Sequence, residues 1–140
     1  MNGDVVIVDT NVVVAGLLSR DAASPVALVL DGMLSAAFPF VVSVALLAEY
    51  RSVLLRPALR KLHGLSVTEV DVVLTDIAQH AILLAPEPSA LRAPDPGDQF
   101  LWDLLVARPD LQLVTGDKAL LKDAAMQGRV CSPLTFIEQA

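Results

Sequence analysis

The run Val5-Val6-Ile7-Val8, closed by Asp9-Thr10-Asn11, constrains this chain more than any other stretch. Four β-branched apolar residues in a row predict a strand buried on both faces, as inside a parallel sheet. In an open α/β sheet, ligands bind beyond the carboxyl ends of the strands, and Asp9 stands at such an end. An acid after a strand can also serve only as the cap of the next helix. The choice depends on which other acids reach the same edge.

The alternation that follows is αβ throughout. Val12 to Leu18 opens a helix and Ser19 to Ser24 reads as a loop. Pro25 then suits a first helical position, with Val26, Val29, Leu30 and Met33 at helical spacing. Phe38 to Val42 predicts a second strand with Pro39 at its start, where proline is tolerated. Ser43 caps a helix over Val44 to Leu55, which carries Leu46, Glu49 and Val53 on one stripe. Arg56-Pro57 interrupts that helix, and a basic segment with Arg60, Lys61 and His63 follows. Ser66-Val67-Thr68-Glu69 matches a capping box, flanked by a Leu65–Val70 hydrophobic staple. Ala81 to Leu84 reads as a third strand.

The proline-rich stretch 86–97 is a loop that delivers Asp95-Pro96-Gly97-Asp98 to a helix over Asp98 to Arg108. Leu111 to Thr115 is the fourth strand, and Gly116 is expected to permit a tight turn before Asp117-Lys118. A helix through Leu120, Leu121, Ala124 and Ala125, a last strand over Arg129 to Cys131 and a closing helix from Pro133 complete the pattern. We therefore expect one domain over residues 1–140, a three-layer α/β/α sandwich around a mainly parallel sheet of four to five strands.

Asp9, Glu49, Asp98 and Asp117 each lie just beyond a strand or in the helix after one, so a parallel sheet brings them to one edge. Taken singly, Asp95 and Asp98 also suit a helix cap and a first-turn acid. Four carboxylates crowded together resist ionisation unless a counter-charge joins them, because each charge raises the pKa of its neighbours. An all-oxygen cluster suits Mg²⁺ or Mn²⁺, one or two ions, and such sites are typical of phosphoryl transfer.

Four motifs occur in this order: Val8-Asp9-Thr10-Asn11-Val12, Ser43 through Glu49-Tyr50, Asp95-Pro96-Gly97-Asp98-Gln99-Phe100-Leu101, and Leu113-Val114-Thr115-Gly116-Asp117-Lys118. Together they resemble the PIN domain, in the bacterial branch of toxin components of toxin–antitoxin pairs, across essentially the whole chain. The resemblance implies an Mg²⁺- or Mn²⁺-dependent endoribonuclease with Asp9, Glu49, Asp98 and Asp117 as catalytic, metal-holding acids. Asn11, Ser43 and Thr115 match the polar support of that site, and Asp95 an additional acid of the branch. Two departures are visible: Gly97 stands where relatives often carry an acid, and Trp102-Asp103 replaces small or apolar residues.

The formal net charge of −6 argues at first against a nucleic-acid partner. Discounting the four site acids reduces it to −2, and bound cations would offset their charge. Arg51, Arg56, Arg60, Lys61 and Lys118 lie close in sequence to those acids and could hold RNA phosphates. Hydrophobic residues form 54% of the chain and aromatics 4%, a Val/Leu/Ala core with apolar surface left for a cognate antitoxin or a second copy in a homodimer. Met1-Asn2-Gly3-Asp4 carries an acid where a secretory leader would be basic. The uncharged stretch Gly32 to Ala48 falls short of the roughly 20 residues that span a bilayer. A single cysteine, Cys131, leaves no intrachain disulfide. A cytoplasmic enzyme is expected.

Three competing readings remain at this point. A haloacid-dehalogenase-like phosphatase would need a second acid where Asn11 stands. A receiver domain would need an acid paired beside Asp9. A PIN-like domain that binds metal or a partner without cleaving keeps the quartet.

Overall fold

The computed structural model describes residues 5–123, 126 and 128–139. Its first strand, β1 (Val5–Val8), is buried along its whole length. Successive side chains on a strand point to opposite faces, so burial of all four requires helices on both sides of the sheet. This is the three-layer arrangement expected.

The sheet is parallel throughout. β1 pairs with β4 (Leu111–Val114), matching Val5 to Leu111 and Val8 to Val114, and β4 pairs with β5 (Val130–Cys131). On the other side, β2 (Val41–Val42) pairs with β3 (Ile82–Leu83). Between β1 and β2 the described residues make one isolated bridge, Val6 to Phe40, with the Val6 amide donating to the Pro39 carbonyl at 3.3 Å. Pro39 has no amide hydrogen to give back, which leaves this seam weakly laddered. The spatial order is β3-β2-β1-β4-β5, so the chain reverses direction across the sheet at the β1/β4 boundary.

The helices follow local signals. Asp9 caps α1 (Thr10–Leu18), and Ser24 caps α2 (Pro25–Ser35), accepting from the Ala27 amide. Gly16 lets these two helices close on each other, because a Cβ there would lie 2.6 Å from the Val26 carbonyl oxygen. Ser43 caps α3 (Val44–Leu54). The basic segment is a helix, α4 (Pro57–His63), which sequence reading took only as an interruption. Pro57 breaks α3 yet supplies the first position of the next helix, where its missing amide costs nothing. Gly64 ends α4 in the left-handed region at φ 70°. α5 (Val67–His80) carries both hydrogen bonds of the capping box, Ser66 amide to Glu69 and Glu69 amide to Ser66.

β3 is shorter than expected, and both of its side chains are exposed. A short 3₁₀ turn (Pro96–Asp98) precedes α6 (Gln99–Ala107). Trp102 is fully buried in the core, and Asp103 holds the preceding loop by accepting from the Ser89 amide at 2.8 Å. Those two departures therefore have structural roles. α7 (Lys118–Leu121) is a single turn, and the expected continuation through Ala124 and Ala125 lies outside the described residues. α8 (Pro133–Gln139) packs on α2, with Phe136 edge-on to Phe38 at 4.9 Å. Among the described residues, no helix is long and apolar enough to cross a membrane.

Candidate active site

The carboxyl ends of β1 and β4 meet at the chain reversal, where a crevice forms in sheets of this kind. A cleft of about 450 Å³ opens there, and Asp9, Glu49, Asp98 and Asp117 all line it. The expected quartet shares one site.

Asp9 is the most fixed of the four. Its residue is only 6% exposed, and β1–β4 pairing continues through its amide to the Val114 carbonyl at 2.9 Å. One carboxylate oxygen accepts from the Thr10 amide at 2.8 Å, the other from the Thr115 hydroxyl at 2.7 Å and the Asn11 amide group at 3.3 Å. The Thr115 hydroxyl in turn accepts from the Asp117 backbone amide at 3.0 Å. Asn11 completes the tie by accepting from the Gly116 amide at 3.1 Å. One hydroxyl and one amide side chain thus lock the ends of two neighbouring strands together, and with them Asp9 and Asp117.

Gly116 does not take the left-handed conformation that only glycine adopts readily. A Cβ there would meet Asn11 Oδ1 at 3.5 Å, an ordinary contact. The expected steric need for glycine in this turn is not found.

Glu49 reaches the cleft from the middle of α3, beside Val53. Its neighbour Tyr50 is fully buried and donates its hydroxyl hydrogen to the Val8 carbonyl, so α3 is anchored to the strand that carries Asp9. Asp117 caps α7, accepting from the Ala119 amide at 2.8 Å.

Asp98 differs. It stands at the start of α6, yet its carboxylate makes no capping bond. Asp95 caps the 3₁₀ turn before it, accepting from the Gly97 amide at 2.8 Å, and lies exposed outside the lining of the cleft. Burial and the charges of Asp9, Asp95, Asp117 and Glu49 push the Asp98 carboxyl up to about 6. Burial also raises Asp9, against the hydrogen bonds from Thr115 and Thr10 that hold it down. Both shifts come first from burial, with the charges of the neighbouring carboxylates adding to it.

The remaining expected residues fall elsewhere. The Ser43 hydroxyl caps α3 through the Leu46 amide at 3.1 Å and lines a separate apolar cavity of about 260 Å³ with Leu83 and Phe100. Arg51 pairs with Asp71 at 2.9 Å on the outer face of α3. Arg60 and Lys61 border a shallow depression beside Glu69, and Lys118 is exposed at the start of α7. Arg56 alone of the expected bases lines the acidic cleft.

Two features escaped sequence reading. The Thr10 hydroxyl is buried without a partner at the mouth of α1. An apolar wall of Val14, Leu18 and Val53 continues the cleft, and the helical spacing of residues 10, 14 and 18 could have revealed its α1 half.

Among the described residues, no three Asp, Glu, His or Cys side chains stand close enough to hold an ion between them. The donors lining the cleft are nonetheless carboxylates without histidine or cysteine. That set fits a hard cation such as Mg²⁺, which keeps several waters and needs only one or two direct carboxylates.

The sequence matches the family model of the PIN domain over residues 5–119, most of the chain and all four acids. The chain belongs to the PIN domain family. PIN domains are generally metal-dependent nucleases, which supports a nuclease-type function here. No curated protein matches the chain closely enough to add to this.

Proposed function

We propose that this PIN domain is an Mg²⁺- or Mn²⁺-dependent endoribonuclease, the toxin component of a toxin–antitoxin pair. The observation that carries the reading is Asp98. It is an uncapped carboxylate on a cleft that three other acids also line, pushed up to about 6 by burial first and by their charges second. A binding site for cations explains that arrangement, whereas a helix cap does not.

Asp9 would hold the ion directly, because its strand and its hydrogen bonds fix it most firmly. Glu49, Asp98 and Asp117 would complete the shell, some through water. A bound divalent ion supplies acidity for an attacking water and charge for the leaving oxygen at phosphorus. Thr115 and Asn11 orient the Asp9 carboxylate, and outer partners of this kind tune metal affinity. The Tyr50 hydroxyl keeps Glu49 in register with Asp9. In the toxin role the chain would work in the cytoplasm, as a homodimer restrained by a cognate antitoxin.

A mixed RNA pool incubated with the protein and Mg²⁺ or Mn²⁺ tests this, beside Asp9→Asn and an EDTA control. Cleavage confined to the untreated, unaltered protein is expected. Cleavage that survives both controls would sink the metal-nuclease reading. One observation favours a second reading, a domain that binds without cleaving: no ready-made group of three ligands is present among the described residues. Intact metal binding with no cleavage of any RNA would select it.

A further inference from the structure

The neutral side chains around Asp9 leave little hydrogen-bonding capacity idle. Asn11 donates to Asp9 and Thr115 and accepts from the Gly116 amide. Thr115 donates to Asp9 and accepts from the Asp117 amide. Thr10 is the exception. Its backbone amide serves Asp9 at 2.8 Å, and the residue is only 7% exposed. Yet its hydroxyl oxygen is shut away from solvent with no partner among the described residues. Only the Trp102 indole nitrogen shares that condition there, and Trp102 belongs to the core and not to the cleft lining.

The cause is positional. Inside a helix a threonine hydroxyl can donate to a carbonyl three or four residues back. Thr10 is the first residue of α1, so those positions are Val6 and Ile7 in β1, where no helical carbonyl stands. The Asp9 carbonyl is already used by the Val12 and Val13 amides. A buried hydroxyl without a partner destabilises the fold, and valine would fill the same space without it.

Thr10 nevertheless lines the acidic cleft. Its oxygen is shielded, so other atoms of the residue form that lining. Threonine carries a hydroxyl and a methyl of similar size on Cβ, and a turn of about 120° about the Cα–Cβ bond exchanges them. In helices threonine divides between two such wells. A hydroxyl so turned can both donate and accept. A hard cation such as Mg²⁺ keeps several of its waters, and their hydrogens need acceptors. Both oxygens of Asp9 are already engaged.

We propose that Thr10 is a positioning residue for cation binding, its hydroxyl turned to the cleft as the neutral acceptor for a water of the hydration shell. The inference rests on the metal reading above and adds to it a residue that no pattern of acids reveals. Thr10 acts through that water and not on the reacting phosphate. The hydroxyl gains on cation binding the partner that the protein alone denies it.

Titration with Mn²⁺, followed by the electron paramagnetic resonance signal of the free ion, reads affinity without RNA. Thr10→Val keeps the shape and removes the hydroxyl. It should weaken Mn²⁺ binding about tenfold while raising the melting temperature of the metal-free protein, because a stranded polar group is gone. Thr10→Ser keeps the hydroxyl and loses the methyl, so affinity should hold while the melting temperature falls. A merely structural threonine gives the other pattern, with affinity following stability in both variants. Thr10→Val that binds Mn²⁺ as tightly as the unaltered protein, or Thr10→Ser that loses as much as Thr10→Val, would overturn the assignment. Should Thr10→Val not fold, Thr10→Ala carries the same expectation for affinity. The two proposals fail separately. Weakened Mn²⁺ binding in Thr10→Val, with no RNA cleaved by the unaltered protein, defeats the nuclease and leaves Thr10 its role. Cleavage and Mn²⁺ binding that both ignore Thr10→Val defeat that role alone. No Mn²⁺ binding by the unaltered protein defeats both.

Discussion

Asp9 and Asp98 both stand at the start of a helix, and the surroundings of the two could hardly differ more. Asp9 ends a buried strand and uses both carboxylate oxygens in hydrogen bonds to Thr10, Thr115 and Asn11. Asp98 ends a 3₁₀ turn capped by Asp95, and its own carboxylate caps nothing. The first acid is built into the sheet, while the second is delivered to it by a segment clipped down from α6. There Gln99 bonds the Ala93 amide and the Leu91 carbonyl, and Asp103 bonds the Ser89 amide. The contrast teaches that a site of this kind combines a rigid half with a half whose charge is left unsatisfied.

The sharpest way to break the comparison is Asp9→Asn. Losing the anchor acid should lower RNA cleavage by about 10³-fold while the protein stays folded, because the relief of a buried charge is set against the hydrogen bond that an amide nitrogen at residue 9 cannot accept. Thermal melts beside turnover assays measure both. Thr115→Val should come next in effect on folding, since it removes the shortest of the Asp9 hydrogen bonds and leaves the Asp117 amide without its partner. A cost of about 1–3 kcal/mol in denaturant unfolding is expected, together with reduced activity, although residue 115 touches no substrate.

Asp98 offers a test through pH. Its folded-state pKa, about 6, lies above the ordinary value of 3.8. The folded protein therefore holds a proton that the unfolded chain has released, and stability falls as pH rises from about 4 through 6. Asp9, raised for the same first reason of burial, adds in the same direction. Asp71 and Asp110, held low by Arg51 and Arg108, titrate below this window. Melting curves of the metal-free protein should record the decline, Mg²⁺ should offset it, and Asp98→Asn should flatten it. A flat profile in the unaltered protein would contradict the assigned burial and the neighbouring charges. The smallest effect is expected from Gln99→Ala, about 1 kcal/mol or less. It loosens the loop, and KM should rise before stability suffers.

Much of this was legible in the sequence, for identifiable reasons. The β1 run, the Ser66–Glu69 capping box and the strand-ending acids are local signals, and local signals survived into the structure. What was not legible depended on partners distant in sequence. Arg51 and Arg56 look alike as letters five positions apart, and only the placement of Asp71 on α5 separates an engaged base from a free one. Ser43 matched the site's polar support but faces a different cavity, because its hydroxyl is used by α3. α4 was missed because Pro57 signals both the end of one helix and the beginning of another.

The weak seam between β1 and β2 has a consequence for motion. Glu49 belongs to the half of the molecule built on β2 and β3, whereas Asp9 and Asp117 belong to the half built on β1 and β4. Among the described residues, backbone pairing across the boundary is limited to the Val6–Phe40 bridge, and the Tyr50 hydroxyl spans it as a cross-tie to the Val8 carbonyl. Hydrogen exchange should therefore be faster at the Val6 amide than at the Asp9 amide, which sits in the β1–β4 ladder. Tyr50→Phe would let the two halves breathe, so that the distance between Glu49 and Asp9 becomes a fluctuating quantity.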